Sequence, residues 1–277
     1  MTALLALTSA ALIGFVDFLG GRTSRRAPAL LVTLWAQGLG LPVSLVVALA
    51  VPADRVTAGD LAWSAAAGVC AALGLVWFYA AMARGLISIA APLAGVIGAA
   101  IPAVYGIATG DELGTASLFG LGLAIGAIFV VSFAPGTRTS SDAGAVIALA
   151  VGAGLLFGGF FVVFSLPSED AGLWPVVGLR VAATATLLVV SLGLRRPVSA
   201  GATVIRPASV MALCEVVAGI ALLTALQRGP VSIASVLSSL YPVTTVLLAA
   251  ILLSERMTRT QLGGVALTLV AIVLIST

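Results

Sequence analysis

The sequence predicts an all-α integral membrane protein with about ten transmembrane helices, arranged as two inverted five-helix repeats. Of the 277 residues, 61% are hydrophobic and only 8% are charged, whereas a soluble domain carries about a quarter charged residues. Apolar runs long enough to span a bilayer fill nearly the whole chain. These runs lack the alternation of outer-membrane β-strands, so helices are the expected way to satisfy the backbone in lipid.

Composition excludes several kinds of functional site. The chain has no His and no Lys, which removes imidazole metal sites, His-based catalytic triads and Walker-type phosphate loops. Cys70 and Cys214 stand alone in apolar runs and form no CxxC pair. The net charge of +3 lies in loops and indicates membrane orientation, not nucleic-acid binding. We therefore predict no catalytic residue, metal, cofactor or nucleic-acid partner.

Ten apolar segments are predicted as membrane spans from their length and from the turn residues between them. They lie near residues 3–20, 28–51, 61–82, 86–109, 115–133, 143–164, 171–194, 208–226, 231–253 and 260–276. No basic region precedes the first segment, so we expect a retained span and not a cleaved signal. Three patterns predict that helix backbones pack closely: Gly106-x-x-x-Gly110, Gly122-x-x-x-Gly126 and Gly154-x-x-x-Gly158.

The chain repeats itself at an offset of 144 residues. The motif Arg-Gly-x-x-Ser-Ile-Ala begins at Arg84 and again at Arg228, and Asp111 and Glu255 end the same span in each half. Identities between Ala, Leu, Val or Gly arise by chance in two apolar sequences, but this motif is much harder to obtain by chance. We therefore predict a true internal repeat.

The predicted repeats are residues 1–134 and 143–277. Each has five spans, and because five is odd the two copies must be inverted in the bilayer. One set of loops holds ten arginines, namely Arg22, Arg25, Arg26, Arg84, Arg138, Arg195, Arg196, Arg206, Arg256 and Arg259. The opposite set holds only Arg55 and Arg228. The positive-inside rule therefore predicts that the first set is cytoplasmic and that both termini face outward.

Two stretches of the second half carry a family signature. The first reads Ala-Leu-Gln-Arg-Gly-Pro-Val-Ser-Ile-Ala-Ser at 225–235, followed by Leu-Tyr-Pro at 240–242, and the second reads Leu-Ser-Glu-Arg-Met-Thr at 253–258. The same pattern, less sharply kept, covers 80–132. These residues resemble the drug/metabolite transporter superfamily in its ten-helix EamA-type branch. The resemblance implies transport coupled to an ion gradient, through a cavity lined by the first four helices of each repeat.

Ionisable residues inside the spans are the first candidates for substrate binding or ion coupling. Asp17 could bind a cationic substrate or exchange a proton, or it could pair with Arg22 or Arg25 at the membrane boundary. Arg180 could clamp an anionic substrate group, or form a structural pair with Glu215. Glu215 is the best candidate for a proton-coupling carboxylate.

Several uncharged residues complete the predicted site. Trp35, Trp77 and Tyr241 could line a pocket and stack on a flat or cationic substrate, with core packing as the alternative. Gln37 could hydrogen-bond a ligand or a neighbouring helix. A structural role is predicted for the turn of Glu255 and Thr258, because Thr258 has the spacing of a capping box with Gln261, a residue of the last span.

Together these features predict an exporter of small metabolites, such as amino acids, nucleosides or amphipathic drugs, that works by alternating access. Its expected partners are the substrate, the bilayer of the cell membrane and protons as the candidate coupling ion, while the oligomeric state stays open. An uptake permease of the same fold is the near alternative. A membrane-embedded enzyme acting on lipid-like substrates and a passive channel are the other classes, and the thin supply of polar residues disfavours the enzyme.

Overall fold

The computed structural model describes residues 1–24, 26–83, 87–132, 143–252 and 258–276. Within these ranges all regular secondary structure is helical. The α-helices are α1 (Thr2–Ser24), α2 (Ala29–Ala50), α3 (Ala58–Ala83), α4 (Ile87–Ala108), α5 (Thr115–Ser132), α6 (Ala143–Phe164), α7 (Trp174–Gly193), α8 (Ala202–Arg228), α9 (Val231–Ser238), α10 (Tyr241–Leu252) and α11 (Arg259–Ser276). A short 3₁₀ turn, Glu169–Ala171, precedes α7.

The predicted spans correspond to these helices, with the ninth span divided into α9 and α10. Among the described residues, six helices are long and apolar enough to cross a membrane: α1, α2, α3, α6, α7 and α8. Shorter apolar helical stretches lie in α4, in α5, across α9 and α10, and in α11. Lipid offers no hydrogen bonds to the backbone, whereas an α-helix satisfies its backbone groups internally. A chain with this set of apolar helices is therefore a multi-pass membrane protein.

Helix α8 begins six residues earlier than predicted, at Ala202 and not at residue 208. The prediction treated Pro207 as a boundary, but this proline lies inside the helix near its start. Pro207 is the sixth residue of α8, so its missing N–H leaves the carbonyl of Thr203 without its usual intrahelical donor, and the helix nevertheless continues through it. The earlier start places Glu215 thirteen residues from Ala202 and thirteen from Arg228, at the middle of the helix.

The two halves of the chain pack on each other along most of their helices. Helix α3 contacts α6 and α7, while α1 and α2 contact α8; α4 contacts α6 and α9, α1 contacts α10, and α5 contacts α11. The prediction from the Gly-x-x-x-Gly patterns is wrong at Gly122 and Gly126, where an added Cβ would meet no described atom within 4 Å, and it holds for Gly106 but not for Gly110. Small residues do permit the close approach of α4 and α6, as predicted for the Gly154-x-x-x-Gly158 pattern. A Cβ on Gly154 would lie 2.8 Å from Ile97 Cβ, and one on Gly158 would lie 2.6 Å from Ile101 Cβ.

Polar contacts between connections hold the end of the bundle at which the chain begins. Asp60 and Thr57 form a capping box at the start of α3, in which the Thr57 N–H donates to Asp60 Oδ2 (2.9 Å) and the Asp60 N–H donates to Thr57 Oγ1 (3.2 Å). The N–H of Ser168, between α6 and α7, donates to the other oxygen of Asp60 (2.8 Å). Asp60 therefore ties the two halves together at this end.

Candidate functional site

A cavity of about 180 Å³ lies between the two halves of the chain. Its walls come from α1, α2, α3 and α4 of the first half, and from α6, α7, α8, α9 and α10 of the second half. Five of the predicted site residues line it: Asp17, Gln37, Arg180, Glu215 and Tyr241. The helix packing therefore gathers into one place residues that are up to 224 positions apart in the sequence (241 − 17).

Three of these side chains form a hydrogen-bonded cluster, which we call the Arg180–Glu215–Gln37 cluster. Arg180 Nη1 donates to Glu215 Oε2 (2.6 Å) and to Gln37 Oε1 (2.8 Å), and Gln37 Nε2 donates to Glu215 Oε2 (3.0 Å). Arg180 is 3% exposed and Glu215 is 10% exposed. The predicted structural pair of Arg180 with Glu215 is thus present. The Glu215 carboxylate compensates the charge of Arg180, which would be costly if unpaired inside a helix bundle.

Glycine 40 makes room for this cluster on α2. A Cβ at Gly40 would lie 3.0 Å from Arg180 Nη1 and 3.2 Å from Arg180 Cζ. The guanidinium therefore lies against the backbone of α2, one turn after Gln37. Its Nε is buried and has no hydrogen-bond partner among the described residues. A buried donor without a partner is costly, so this nitrogen is a position at which a ligand acceptor would be favourable.

Asp17 faces the same cavity without a partner. In the described parts of the chain, no side chain or backbone group forms a hydrogen bond or ion pair with it. Helix α1 continues to Ser24, two turns beyond Asp17, so the carboxylate is not at the helix end. It lies within electrostatic range of Glu215 and of Tyr241. The predicted pair with Arg22 is not formed, while Arg25, the other predicted partner, lies outside the described residues. Among the described residues, the Asp17 carboxylate is available to a ligand or a proton.

An aromatic wall from α6, which the sequence analysis did not identify, forms one side of the cavity. It consists of Phe157, Phe160, Phe161 and Phe164. The rings of Phe160 and Phe164 are stacked with centroids 5.5 Å apart, and Phe157 meets Phe78 of α3 edge-on at 5.9 Å. The spacing i, i+3, i+4, i+7 places the four α6 residues on one helix face. That spacing is the signal that could have identified them.

The break between α9 and α10 also faces the cavity, through Ser238, Ser239 and Tyr241. Pro242 explains why the helix is interrupted there, because proline has no N–H to donate to the carbonyl of Ser238. The turn is closed locally, since the Leu240 N–H donates to Leu237 O (3.2 Å) and the Ser239 hydroxyl donates to Ser235 O (2.8 Å). Tyr241 is thereby placed at the cavity wall.

The two tryptophans predicted to line the pocket lie elsewhere. Trp35 Nε1 donates to Val198 O (3.0 Å), which anchors the connection between α7 and α8. Trp77 is 42% exposed and covers Gly152 of α6. The reason is helical rotation of about 100° per residue: Trp35 is two positions from Gln37 and Trp77 is one position from Phe78, so each points away from its cavity-lining neighbour.

The predicted structural turn is only partly described. Glu255 lies outside the described residues. Thr258 directly precedes α11, and the Leu262 N–H donates to Thr258 O (3.0 Å), which is the N-cap position expected from the sequence. Among the residues that the structure describes, no group of three or more His, Cys, Asp or Glu side chains could hold a metal ion.

Comparisons with known proteins agree with this architecture. The model of the EamA-like transporter family, which is part of the drug/metabolite transporter superfamily, matches residues 144–277. The chain is also similar to a solved structure, described as the crystal structure of a protein, with a TM-score of 0.76 and 18% identity over 99% of this chain and 95% of that chain. At this identity the likeness concerns the fold alone. No curated protein matches the sequence.

Proposed function

We propose that this chain, whose residues 144–277 match the EamA-like transporter family, is a secondary active transporter that exports small metabolites across the cell membrane by alternating access. The observation that carries the proposal is the cavity between the two halves, which contains a paired and an unpaired carboxylate. Alternating access requires a central site that lies between two units able to move against each other.

The pattern of helix contacts supports two inverted repeats at residues 1–134 and 143–277. An offset of 144 relates α1 to α6, α2 to α7, α3 to α8, α4 to α9 with α10, and α5 to α11. Because this relation replaces α3 by α8 and α6 by α1, the contact between α3 and α6 is equivalent to the contact between α8 and α1. The contact of α3 with α7 is likewise equivalent to that of α8 with α2. Such an equivalence of contacts is expected from a twofold relation between repeats.

The lining of the cavity supports a small amphipathic substrate. The aromatic wall of α6 offers apolar surface and ring faces, on which a flat or cationic group binds favourably. The charged groups on the cavity wall are the Asp17 carboxylate and the Arg180–Glu215 ion pair. In the described structure Glu215 is paired with Arg180 and Asp17 is unpaired. Asp17 is therefore the carboxylate that supports binding of a cationic substrate group or a proton.

The Arg180–Glu215–Gln37 cluster supports coupling between occupancy and helix movement. Its members come from three helices, α7, α8 and α2, which belong to both halves. Protonation of Glu215, or binding of an anionic substrate group to Arg180, would remove the ion pair that joins α7 to α8. Either event would change the relative stability of two arrangements of these helices, which is the requirement for a coupled transporter.

Substrate-induced proton movement in proteoliposomes tests the proposal. The purified protein is reconstituted with an internal pH dye and challenged with pools of amino acids, nucleosides, sugars and cationic drugs. We expect one pool to move protons with the wild type and with Asp54→Asn, a control at an exposed loop position, but not with Glu215→Gln. The sign of the proton movement distinguishes export from uptake, because an exporter exchanges substrate for protons whereas an uptake permease carries both in the same direction.

Two other outcomes contradict parts of the proposal. If labelled substrate crosses the membrane without any proton movement, the coupling role of the carboxylates is wrong while the transporter remains. If no pool crosses under any gradient, the transporter is contradicted, and assays with lipid-like substrates would then test the membrane-enzyme alternative.

A further inference from the structure

A second cavity of about 390 Å³ lies between α2, α3 and α7, beside the central cavity, from which Leu75 separates it. We call it the lateral groove. Its lining is almost entirely apolar and includes Leu30, Leu31, Val76, Ala80 and Leu187. These residues come from the start of α2 and from the C-terminal parts of α3 and α7. The groove therefore opens toward the end of the bundle that holds most of the arginines.

One charged residue stands among the residues that line the lateral groove, and it is Arg196. Arg196 is exposed, and no carboxylate in the described part of the chain pairs with it. Arg22 and Arg26 are also exposed at this end. The groove thus combines an apolar interior with an uncompensated positive charge at its mouth.

The backbone at the mouth is held in an unusual conformation. Helix α7 ends in a turn in which the Leu194 N–H donates to Val190 O (2.9 Å) and the Arg196 N–H donates to Ser191 O (2.8 Å). Arg195, at the position where such turns favour glycine, has φ of 51°. A left-handed conformation is costly for a residue with a Cβ, and such strain is often found at binding sites. In this chain the left-handed turn places two adjacent arginines, Arg195 and Arg196, at the C-terminal end of α7.

The mouth is also rigid. Pro28 and Pro197 line it from opposite chain segments, and each fixes its own φ. The hydrogen bond from Trp35 to the carbonyl of Val198 attaches the connection after α7 to α2 (3.0 Å). Trp35, which does not reach the central cavity, therefore has a part in holding Arg196 beside the groove. A preformed site loses less conformational entropy when a ligand binds.

We propose that the lateral groove binds an anionic glycerophospholipid, with one acyl chain between α2, α3 and α7 and its phosphate at Arg196. The apolar interior matches an acyl chain, and the planar guanidinium can donate hydrogen bonds to two oxygens of a phosphate at once. Basic pockets between membrane helices are suited to anionic headgroups, which are concentrated in the cytoplasmic leaflet. A soluble phosphate ion would use the arginine alone and leave the apolar interior empty.

Lipid titration of the delipidated protein in detergent, followed by native mass spectrometry, tests this site. Phosphatidylglycerol and phosphatidylcholine with identical acyl chains are compared. We expect the wild type to prefer phosphatidylglycerol, because the choline cation of phosphatidylcholine already balances the charge of its phosphate. Arg196→Gln should weaken phosphatidylglycerol binding about fivefold and phosphatidylcholine binding much less, so that the preference is lost. Arg55→Gln removes an exposed arginine at the opposite end and should preserve the preference. The melting temperature of each variant verifies that it is folded.

A second variant tests the acyl-chain part of the site. Ala80→Phe fills the groove and should weaken the binding of the tightest-bound molecule of phosphatidylglycerol and of phosphatidylcholine alike. Inorganic phosphate alone should bind weakly to every variant. Equal affinity of the wild type for the two lipids, or an undiminished preference in Arg196→Gln, would overturn the proposal. Phosphate binding as strong as that of the lipid would show that only the headgroup charge is recognised, and would also overturn it.

Discussion

Arg180 Nη1 lies 2.6 Å from Glu215 Oε2, so a guanidinium of α7 and a carboxylate of α8 form an ion pair inside the helix bundle. Both side chains are almost fully removed from the surface, and Gln37 of α2 hydrogen-bonds to both of them. Inside a membrane protein neither charge would be tolerated easily without the other. Each charge of the pair is therefore tolerated in the bundle only because the other is present.

Removal of one partner of this pair should destabilise the protein strongly. Glu215→Leu leaves the Arg180 charge buried and uncompensated, which costs about 3–5 kcal/mol in comparable buried pairs. The loss is measured as the free energy of unfolding in mild detergent. Arg180→Met should have a similar effect, because it leaves Glu215 without its cation.

The double variant Arg180→Met/Glu215→Leu separates charge from packing. Replacement of a complete buried pair by apolar residues of similar volume is often neutral or stabilising. We expect the double variant to recover most of the lost stability but none of the transport. A double variant as unstable as Glu215→Leu alone would mean that packing, and not the unpaired charge, explains the single substitution.

Two glycines on α2 give a matched pair of substitutions with opposite expected signs. A Cβ at Gly40 would lie 3.0 Å from Arg180 Nη1, so Gly40→Ala must displace the guanidinium, whereas a Cβ at Gly38 would lie 3.8 Å from Thr184 Cγ2 in ordinary contact. Gly40→Ala should lose about 1–2 kcal/mol of stability through the weakened ion pair. Gly38→Ala should gain about 0.5–1 kcal/mol, because alanine favours a helix.

Thermal or denaturant unfolding of the two variants, together with transport by the proposed assay, checks this pair. The transport rate should fall for Gly40→Ala and stay near the wild-type value for Gly38→Ala. Equal effects of the two substitutions would mean that the position of the guanidinium is not sensitive to the surface of α2.

The sequence predicted the helices well because their signal is local. Apolar runs of sufficient length ended within a few residues of the observed helix ends in most cases, and the start of α8 differed only because Pro207 was treated as a boundary. Asp17, Arg180 and Glu215 were singled out for a similar reason. A charged residue within an apolar run is conspicuous without any knowledge of its neighbours.

The direction of side chains around each helix could not be predicted in the same way. Trp35 and Trp77 were expected in the pocket because they are large and aromatic, but the helix rotation points them elsewhere. The α6 phenylalanines were missed because apolar residues surround them on every side, so the face formed by Phe157, Phe160 and Phe161 shows only in the helical spacing of the aromatic rings. The long-range contact of Gln37 with Arg180 depends on the packing of α2 against α7, which no local pattern specifies.

Asp17→Asn should separate coupling from folding. Asp17 has no hydrogen bond or ion pair with any residue that the structure describes, so its charge stabilises no observed contact. We expect the stability of Asp17→Asn to equal or exceed that of the wild type, as is common when an uncompensated functional group is removed. Substrate-induced proton movement should be lost or strongly reduced.

Parallel measurement of unfolding and of proton movement checks this expectation, with Glu215→Gln as the contrasting variant. Glu215→Gln should lose proton movement and also stability, because it weakens the ion pair with Arg180. Unchanged proton movement in Asp17→Asn would exclude Asp17 as a required coupling group. A large loss of stability would instead indicate a structural role for its carboxylate.

Asp111 should contribute to stability by capping a helix of the other half of the chain. Its Oδ2 accepts hydrogen bonds from the N–H of Ser232 (2.9 Å) and from the Ser232 hydroxyl (2.6 Å), at the first turn of α9. A carboxylate at a helix start satisfies a free N–H group and interacts favourably with the helix dipole. Asp111→Ala should therefore cost about 1–2 kcal/mol of unfolding free energy.

Two further variants test whether this cost comes from the cap. Ser232→Ala removes the hydroxyl but keeps the N–H bond, so it should cost less than Asp111→Ala, about 0.5–1.5 kcal/mol. Glu112→Ala removes the neighbouring exposed carboxylate and should leave the unfolding free energy nearly unchanged. If Glu112→Ala and Asp111→Ala were equally destabilising, the effect would come from the charge of the connection between α4 and α5 and not from the bond to α9.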